Sequence, residues 1–270
     1  MVVLAGCAGG SSGPATVSGR PSVAALPEVP GISAEAVRLR TDEAIGGQVQ
    51  VRISNTGTAP FTVTSVQLDT AGFAVLPARP VTTAYAPGQV IDLPVPFGPV
   101  DCAVAADAPA ARVTVTRPDG STEELSVPLG GDTMSRVHGQ ECAVESVLAV
   151  VDVAVANLAG SGTTLGADVV LTRRGGNDPV VISALRPSVV LEPVPGAKLP
   201  VRMAADDQQL RLPVTFDAAR CDPHALAETK QPFLFPMLVT VGAGQEVPVP
   251  LPLDDAQRVA LQDFLGRVCR

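Results

Sequence analysis

The sequence predicts an all-β protein: two tandem antiparallel β-sandwiches behind an unstructured N-terminal tether, with a short helix near the C-terminus. Three observations carry this. The first is an internal repeat. A gapless shift that lays Gly57 on Gly176 also lays Pro60 on Pro179, Val63 on Ile182 and Cys102 on Cys221. The same shift lays Leu93-Pro94-Val95-Pro96-Phe97 on Leu212-Pro213-Val214-Thr215-Phe216. The second is composition. Hydrophobic residues make up 46% of the 270, yet there are seven Phe, one Tyr and no Trp. The core must therefore come from Val, Leu, Ile and Ala, and the Val excess suits strands better than long helices. The third is pattern: short alternating apolar runs bounded by Gly, Pro, Asn and Asp.

Residues 1–7 end in Leu4-Ala5-Gly6-Cys7. This run resembles the bacterial lipobox, which implies that Cys7 is acylated and becomes the mature N-terminus. A secretory signal needs a basic start and an apolar stretch of about 7–15 residues. Too few residues precede Cys7 for that, so a start upstream of Met1 is expected. Residues 8–33 are expected to be a tether: rich in Gly, Ser, Pro and Ala, without periodicity, and unable to bury a core. A flexible stretch of this length spans roughly 25–30 Å. The run Gly9-Gly10-Ser11-Ser12-Gly13 matches the G-x-S-x-G hydrolase elbow in letters only, because that motif needs a strand before it and a helix after it.

The first sandwich is expected over 34–142. Val49, Val51 and Ile53 alternate with polar residues, and Asn55-Thr56-Gly57 turns the chain. Phe61 and Val63 alternate, the phase slips by one, and Val66 and Leu68 continue, which predicts a β-bulge. The stretch from Asn55 to Val66 resembles a turn-and-strand pair common in bacterial Ig-like domains, including the family named after ASPM, SPD-2 and hydin. That resemblance implies an Ig-like sandwich and no particular function. Ile91, Leu93, Val95 and Phe97 form the next face. Val113 and Val115 follow, closed by Pro118-Asp119-Gly120, then Leu125, Val127 and Leu129. No helix is predicted in this part.

The second sandwich is expected over 143–270. Val153 and Val155 open it, and Leu210, Leu212, Val214 and Phe216 repeat the earlier face. Phe233, Phe235, Met237, Val239 and Val241 share one face, which favours burial over an exposed partner patch. Val247, Val249, Leu251 and Leu253 interleave with Pro248, Pro250 and Pro252. Residues two apart aim their N–H groups to the same side, so these prolines predict an edge strand with one donor-free flank. Only 254–267 reads as helix, capped by Asp254 or Asp255, with Val259, Ala260, Phe264 and Leu265 as its buried stripe.

Of five Cys, Cys7 is assigned to lipid. The repeat sets the pairing of the rest, because each sandwich has one Cys after its Leu-Pro-Val-x-Phe strand and one at its end. The expected disulfides are Cys102–Cys142 and Cys221–Cys269, each worth about 4 kcal/mol in the chain-entropy model. They place the protein outside the cytoplasm. A rival reading takes Cys221-Asp222-Pro223-His224 and His138 near Cys142 as metal ligands. Zinc sites need four clustered ligands, and these come as isolated pairs, so neither a metal nor a cofactor is expected.

The net charge of −8 without a basic cluster disfavours nucleic acid and anionic membrane surfaces as partners. Carbohydrate recognition is disfavoured because Tyr85 is the one aromatic platform with a polar edge. Asp206-Asp207 and Asp254-Asp255 sit where turns and helix caps belong rather than catalytic pairs. The most individual stretch is 221–230. It resembles a Cys-Asp-Pro-His-Ala-x-Ala-Glu-x-Lys signature of uncharacterised actinobacterial secreted proteins, a bias that the Arg-rich, Lys-poor composition shares. The second inter-cysteine segment is also longer than the first, and inserted polar loops on rigid scaffolds are where binding concentrates. Asp222, His224, Glu228 and Lys230 are the candidate binding residues, with the groove between the sandwiches as a second surface.

The expected protein is non-catalytic, lipid-anchored at the cell membrane, extracytoplasmic, and binds or scaffolds an unidentified envelope protein or ligand. The alternative is a secreted metal- or small-ligand-binding accessory protein using His138 and His224. A hydrolase is the remote third.

Overall fold

A computed structural model describes residues 26–270, so Cys7 and the first part of the expected tether lie outside the described residues. The described chain is mostly strand, and its core is divided in two. In the first half, β1 (Ile32–Val37), β2 (Gln48–Asn55) and β5 (Val90–Pro96) form one layer. The other layer is β4 (Arg79–Tyr85), β3 (Phe61–Asp69), β6 (Ala110–Thr116) and β7 (Thr122–Gly130). β7 runs antiparallel to β6 and then pairs parallel to β1 at its last residues, Leu129 and Gly130, which stitches the layers together. Val49, Val51, Ile53, Leu93 and Val95 meet Val63, Val66, Val113 and Val115 between them. The strand starts at Ile32 rather than after residue 33. Ile32 is buried and pairs with Asn55, so the expected tether ran too long.

The second half has the sheets β11-β13-β9-β8 and β12-β10-β14-β15. Their strands are β8 (Val151–Ala159), β9 (Leu165–Arg173), β10 (Val180–Leu185), β11 (Leu191–Pro195), β12 (Val201–Met203), β13 (Gln209–Ala218), β14 (Pro236–Val241) and β15 (Val247–Pro250). The order β4-β3-β6-β7 is matched by β12-β10-β14-β15, and β5-β2-β1 by β13-β9-β8. The bulge expected near Val66 lies between Val63 and Ser65, and a second lies between Ile182 and Ala184, the positions that the internal repeat equates. In each bulge a hydroxyl reaches across to the neighbouring strand: Thr64 donates to the Thr114 carbonyl at 3.3 Å, and Ser183 lies 3.4 Å from that of Leu238 while donating to the nearer Glu246 carboxylate. One extra residue re-phases β3, so Phe61 and Val63 before it and Val66 and Leu68 after it all face the core.

β15 sits at a sheet edge, as its prolines require. Leu251 N–H donates back to the Phe235 carbonyl at 3.0 Å, on the flank away from the proline nitrogens. Phe235, Met237 and Val239 are fully buried, but β14 begins only at Pro236, because prolines at 232 and 236 interrupt the ladder.

The expectation of a single helix is corrected. Four helices form among the described residues: α1 (Arg40–Ile45), α2 (Thr133–Leu148), α3 (Pro223–Glu228) and α4 (Asp255–Val268). α2 was illegible because its apolar residues do not make one stripe. Met134 and Val137 enter the first core, whereas Val147 enters the second, with Ala143, Val144 and Leu148 against it. The expected boundary between 142 and 143 falls inside this continuous helix, which packs on β1 and on β8, β14 and β15. In α4, Asp254 is the cap, accepting from Gln257 N–H at 2.7 Å, and Leu261 is buried with Phe264 and Leu265. Val259, expected inside, is exposed.

Candidate functional site

The two helices that the paired sheets do not share, α1 and α3, meet at the seam between the halves. α1 is held by Asp42, a fully buried carboxylate. It accepts from Leu39 N–H at 2.9 Å, Gln48 Nε2 at 2.8 Å and Gln50 Nε2 at 2.6 Å. Three donors satisfy its lone pairs without a cation, which makes burial of the carboxylate tolerable. The helix thereby presents Arg40 and Glu43 to the second half.

α3 is built by local rules. Asp222 is the N-cap, accepting from Ala225 N–H at 2.9 Å, and Pro223 occupies the first turn, where a missing N–H costs nothing. That backbone bond, with help from the Arg220 guanidinium 2.9 Å away, holds the Asp222 carboxyl below the usual carboxylate range. Ala225 is buried and anchors the helix to the second core, leaving His224 and Glu228 exposed. Gln231 closes the seam: its Nε2 donates to the Arg40 carbonyl at 3.0 Å and to Glu43 Oε2 at 2.7 Å.

Between these helices and the loop after β10 lies a cleft of about 370 Å³. Four cationic side chains line it, Arg40, Arg186, Arg220 and Lys230, against one carboxylate, Glu228, with His224 beside them. Among the described residues, Arg40, Arg186 and Lys230 have no ion-pair partner. The Thr229 hydroxyl, also in the lining, is buried and without a hydrogen-bond partner. Two further clefts, of about 270 and 450 Å³, adjoin it through Lys230, Gln231 and Leu234 and are lined by Ile45, Phe233, Leu251 and Leu253 among others.

The structure thus brings together three of the four expected binding residues, His224, Glu228 and Lys230. It turns Asp222 to capping instead. Arg40 and Arg186 were missed because nothing in their sequence neighbourhoods links them to 221–230, and only the fold brings these segments together; Arg220, directly before Cys221, adjoins the stretch that the sequence marked.

Both disulfides, Cys102–Cys142 and Cys221–Cys269, are formed. The first ties the loop after β5 to α2, and the second ties the entry to α3 to the end of α4. They place the protein outside the cytoplasm. Among the described residues, no helix is long and apolar enough to cross a membrane.

His138 and His224 are not brought together. The His138 ring stands edge-on to Phe73 and lies 3.1 Å from the Asp101 carbonyl. It also packs so closely over Gly72 that a Cβ there would come within 2.8 Å of the ring. Gly72 is therefore required both for its φ of +80° and for this contact. Among the described residues, no three His, Cys, Asp or Glu side chains are grouped to hold a metal. Asp207 belongs to a turn, accepting from Ala204 N–H at 2.7 Å. Tyr85 is fully buried, so it offers no platform to a sugar.

No protein-family profile matches the chain, and no curated protein matches it. Among solved structures it is similar to red sea bream transglutaminase, at 10% identity and a TM-score of 0.26, over 82% of this chain and 32% of that one. The chain thus spans about a third of that structure. It is also similar to CBD12 from CALX1.2, at 11% identity and a TM-score of 0.20, covering 77% of this chain and 79% of that one. The N-terminal periplasmic domain of ScsB from Proteus mirabilis gives 14% identity and a TM-score of 0.20, covering 86% and 97%. Similarities this low carry no argument about activity.

Proposed function

We propose that this is a non-catalytic binding protein of the bacterial cell envelope, lipid-anchored through Cys7, whose ligand site is the cationic cleft at the seam. Its two sandwiches are, on this reading, copies of one Ig-like unit, supported by the matched strand orders and the paired bulges. It is similar in kind to uncharacterised actinobacterial secreted proteins that carry the 221–230 signature.

The observation that carries the reading is the cleft itself. In a chain of net charge −8, three segments distant in sequence each bring a cation to one concavity. Self-repulsion does not explain such clustering, whereas a ligand of opposite charge does. The cleft also lacks the arrangement a nucleophilic mechanism needs. Its one serine, Ser188, spends its hydroxyl on the local turn, accepting from Leu191 N–H at 3.0 Å and donating to the Leu191 carbonyl at 3.3 Å. The accessory-protein alternative built on His138 with His224 draws no support from their separate surroundings.

The test is affinity capture from the native envelope with wild type and with the pair Arg186→Ala/Lys230→Ala. Loss of the captured species with the variant is expected. Identical recovery would overturn the assignment of the site. Intact mass of the envelope-extracted protein should show a diacylglycerol adduct on Cys7, and an unmodified Cys7 would remove the anchor.

A further inference from the structure

We infer that the cleft takes a phosphate monoester, with the phosphate among Arg40, Arg186, Arg220 and Lys230 and an apolar body along the adjoining groove. The inference rests on the binding reading above and names its ligand chemistry.

The charge count argues for a multiply charged anion. Arg220 is shared with Asp222, but Arg40, Arg186 and Lys230 are unpaired among the described residues, and Glu228 offsets only part of their charge. A monocarboxylate would leave this excess unbalanced. A phosphate monoester carries about −1.5 to −2 near neutral pH and offers three acceptor oxygens. Guanidinium forks match those oxygens bidentately, and a lysine adds a point charge. The approach is also from several sides, since Arg40 comes from α1, Arg186 from the loop after β10, and Arg220 and Lys230 from either side of α3. A general attraction for anions needs no such convergence.

A further feature fits an ester rather than inorganic phosphate. A small cleft lined by Lys230, Gln231, Ile45, Phe233 and Leu234 leads from the cations into a larger one that adds Leu251 and Leu253, with Glu43, Asp152 and Arg258 the charged residues along the way. Apolar lining with a few convergent polar groups is the usual make-up of a small-molecule site, and about 370 Å³ lies within the usual range of roughly 300–1,000 Å³. A phosphate on an apolar chain spans both compartments. It can come from a soluble ester or from a lipid headgroup.

The experiment is calorimetric titration of the disulfide-bonded protein with inorganic phosphate, hexyl phosphate and hexanoate, and flotation with vesicles of phosphatidylcholine alone or with added phosphatidic acid. Hexyl phosphate is expected to bind more tightly than inorganic phosphate, and hexanoate roughly tenfold more weakly than hexyl phosphate. Arg186→Gln and Lys230→Gln should each weaken hexyl phosphate roughly tenfold, whereas Lys198→Gln, at the other lysine, should leave it unchanged. Flotation with phosphatidic acid that Arg186→Gln abolishes identifies a lipid headgroup as the source; binding of hexyl phosphate without flotation identifies a soluble ester. Absence of binding by both phosphates and vesicles, or binding that Arg186→Gln/Lys230→Gln leaves intact, overturns the inference. If envelope capture still depends on Arg186 and Lys230 in that case, the binding reading stands and only the phosphate chemistry falls. If capture is also unaffected, both fall.

Discussion

The two halves share seven matching strands; among the described residues they differ in one short helix each and in β11, an edge strand of the second half. The first half inserts α1 between β1 and β2, where the second turns directly from β8 to β9. The second inserts α3 between β13 and β14, where the first has a loop after β5. What the halves share builds the sandwiches: the paired bulges, the Leu-Pro-Val-x-Phe faces, and a disulfide from a post-strand loop to a closing helix. What they do not share builds the cleft. Arg40 stands on α1, Arg220 and Lys230 flank α3, and Gln231 bonds across from one insert to the other. Polar inserts on a rigid scaffold are where binding concentrates.

The bridges provide the strongest way to break this comparison. Their loops differ little, with separations of 40 and 48 residues, so each should contribute about 4 kcal/mol in the chain-entropy model. Cys102→Ser/Cys142→Ser and Cys221→Ser/Cys269→Ser should therefore shift denaturant unfolding by similar, large amounts. Their effect on the cleft should differ. The second bridge ties the chain just before α3 to the end of α4, so its loss loosens Arg220 and Asp222 next to the cations. At a temperature where both variants remain folded, only the second should lose hexyl phosphate binding. Equal loss in both would mean that the site depends on overall stability rather than on its insert.

A smaller effect separates the two inserts by how each is held. α3 is fixed by a buried Ala225 and a covalent bridge, α1 chiefly by the buried Asp42 carboxylate and its three donors. Asp42→Ala strands the amides of Gln48 and Gln50 and should cost about 2–3 kcal/mol of stability, measured by denaturant unfolding. It should also weaken ligand binding through displacement of Arg40. Asp42→Asn keeps the shape but brings donors toward donors, and should fall between the two. A loss of stability without any change at the cleft would detach α1 from the site.

How much of this was legible follows from the range of the signals. The sandwiches were readable because period-two alternation, proline spacing and the internal repeat are local or self-referential. Even the bulge was marked, by the slip from Val63 to Val66. The C-terminal helix was readable from an aspartate cap and an apolar stripe. α2 was not, because its apolar residues serve two cores in succession and blur any single face. α1 is too short to show a period. For the cleft, the sequence marked His224, Glu228 and Lys230 as unusual, but Arg40 and Arg186 only become neighbours through the packing of two halves, which no spacing encodes.

The smallest predicted effect concerns the cores. Where the first half stacks Phe61 on Tyr85, with ring centroids 5.0 Å apart, the second pairs β10 with β12 through Val180 and Met203. The aromatic stack fills its space at the cost of burying the Tyr85 hydroxyl, which has no hydrogen-bond partner. Burial, with a smaller push from Asp92, raises its pKa to about 12. A folded pKa above the unfolded value of about 10 means that stability is independent of this group's ionisation below pH 10. Stability falls as the pH rises from about 10 toward 12, because the unfolded chain releases the proton first. With one tyrosine and no tryptophan in the chain, tyrosinate absorbance reports Tyr85 alone. It should appear together with loss of structure near the raised value, rather than before it. Tyr85→Phe keeps the stack and removes the unpartnered oxygen, so it should raise neutral-pH stability by about 1 kcal/mol and flatten the alkaline limb. A hydroxyl that titrates near 10 while the protein stays folded would mean that water reaches it. The first core would then be less tightly closed than the second, and the aromatic stack would be its weak point rather than its filler.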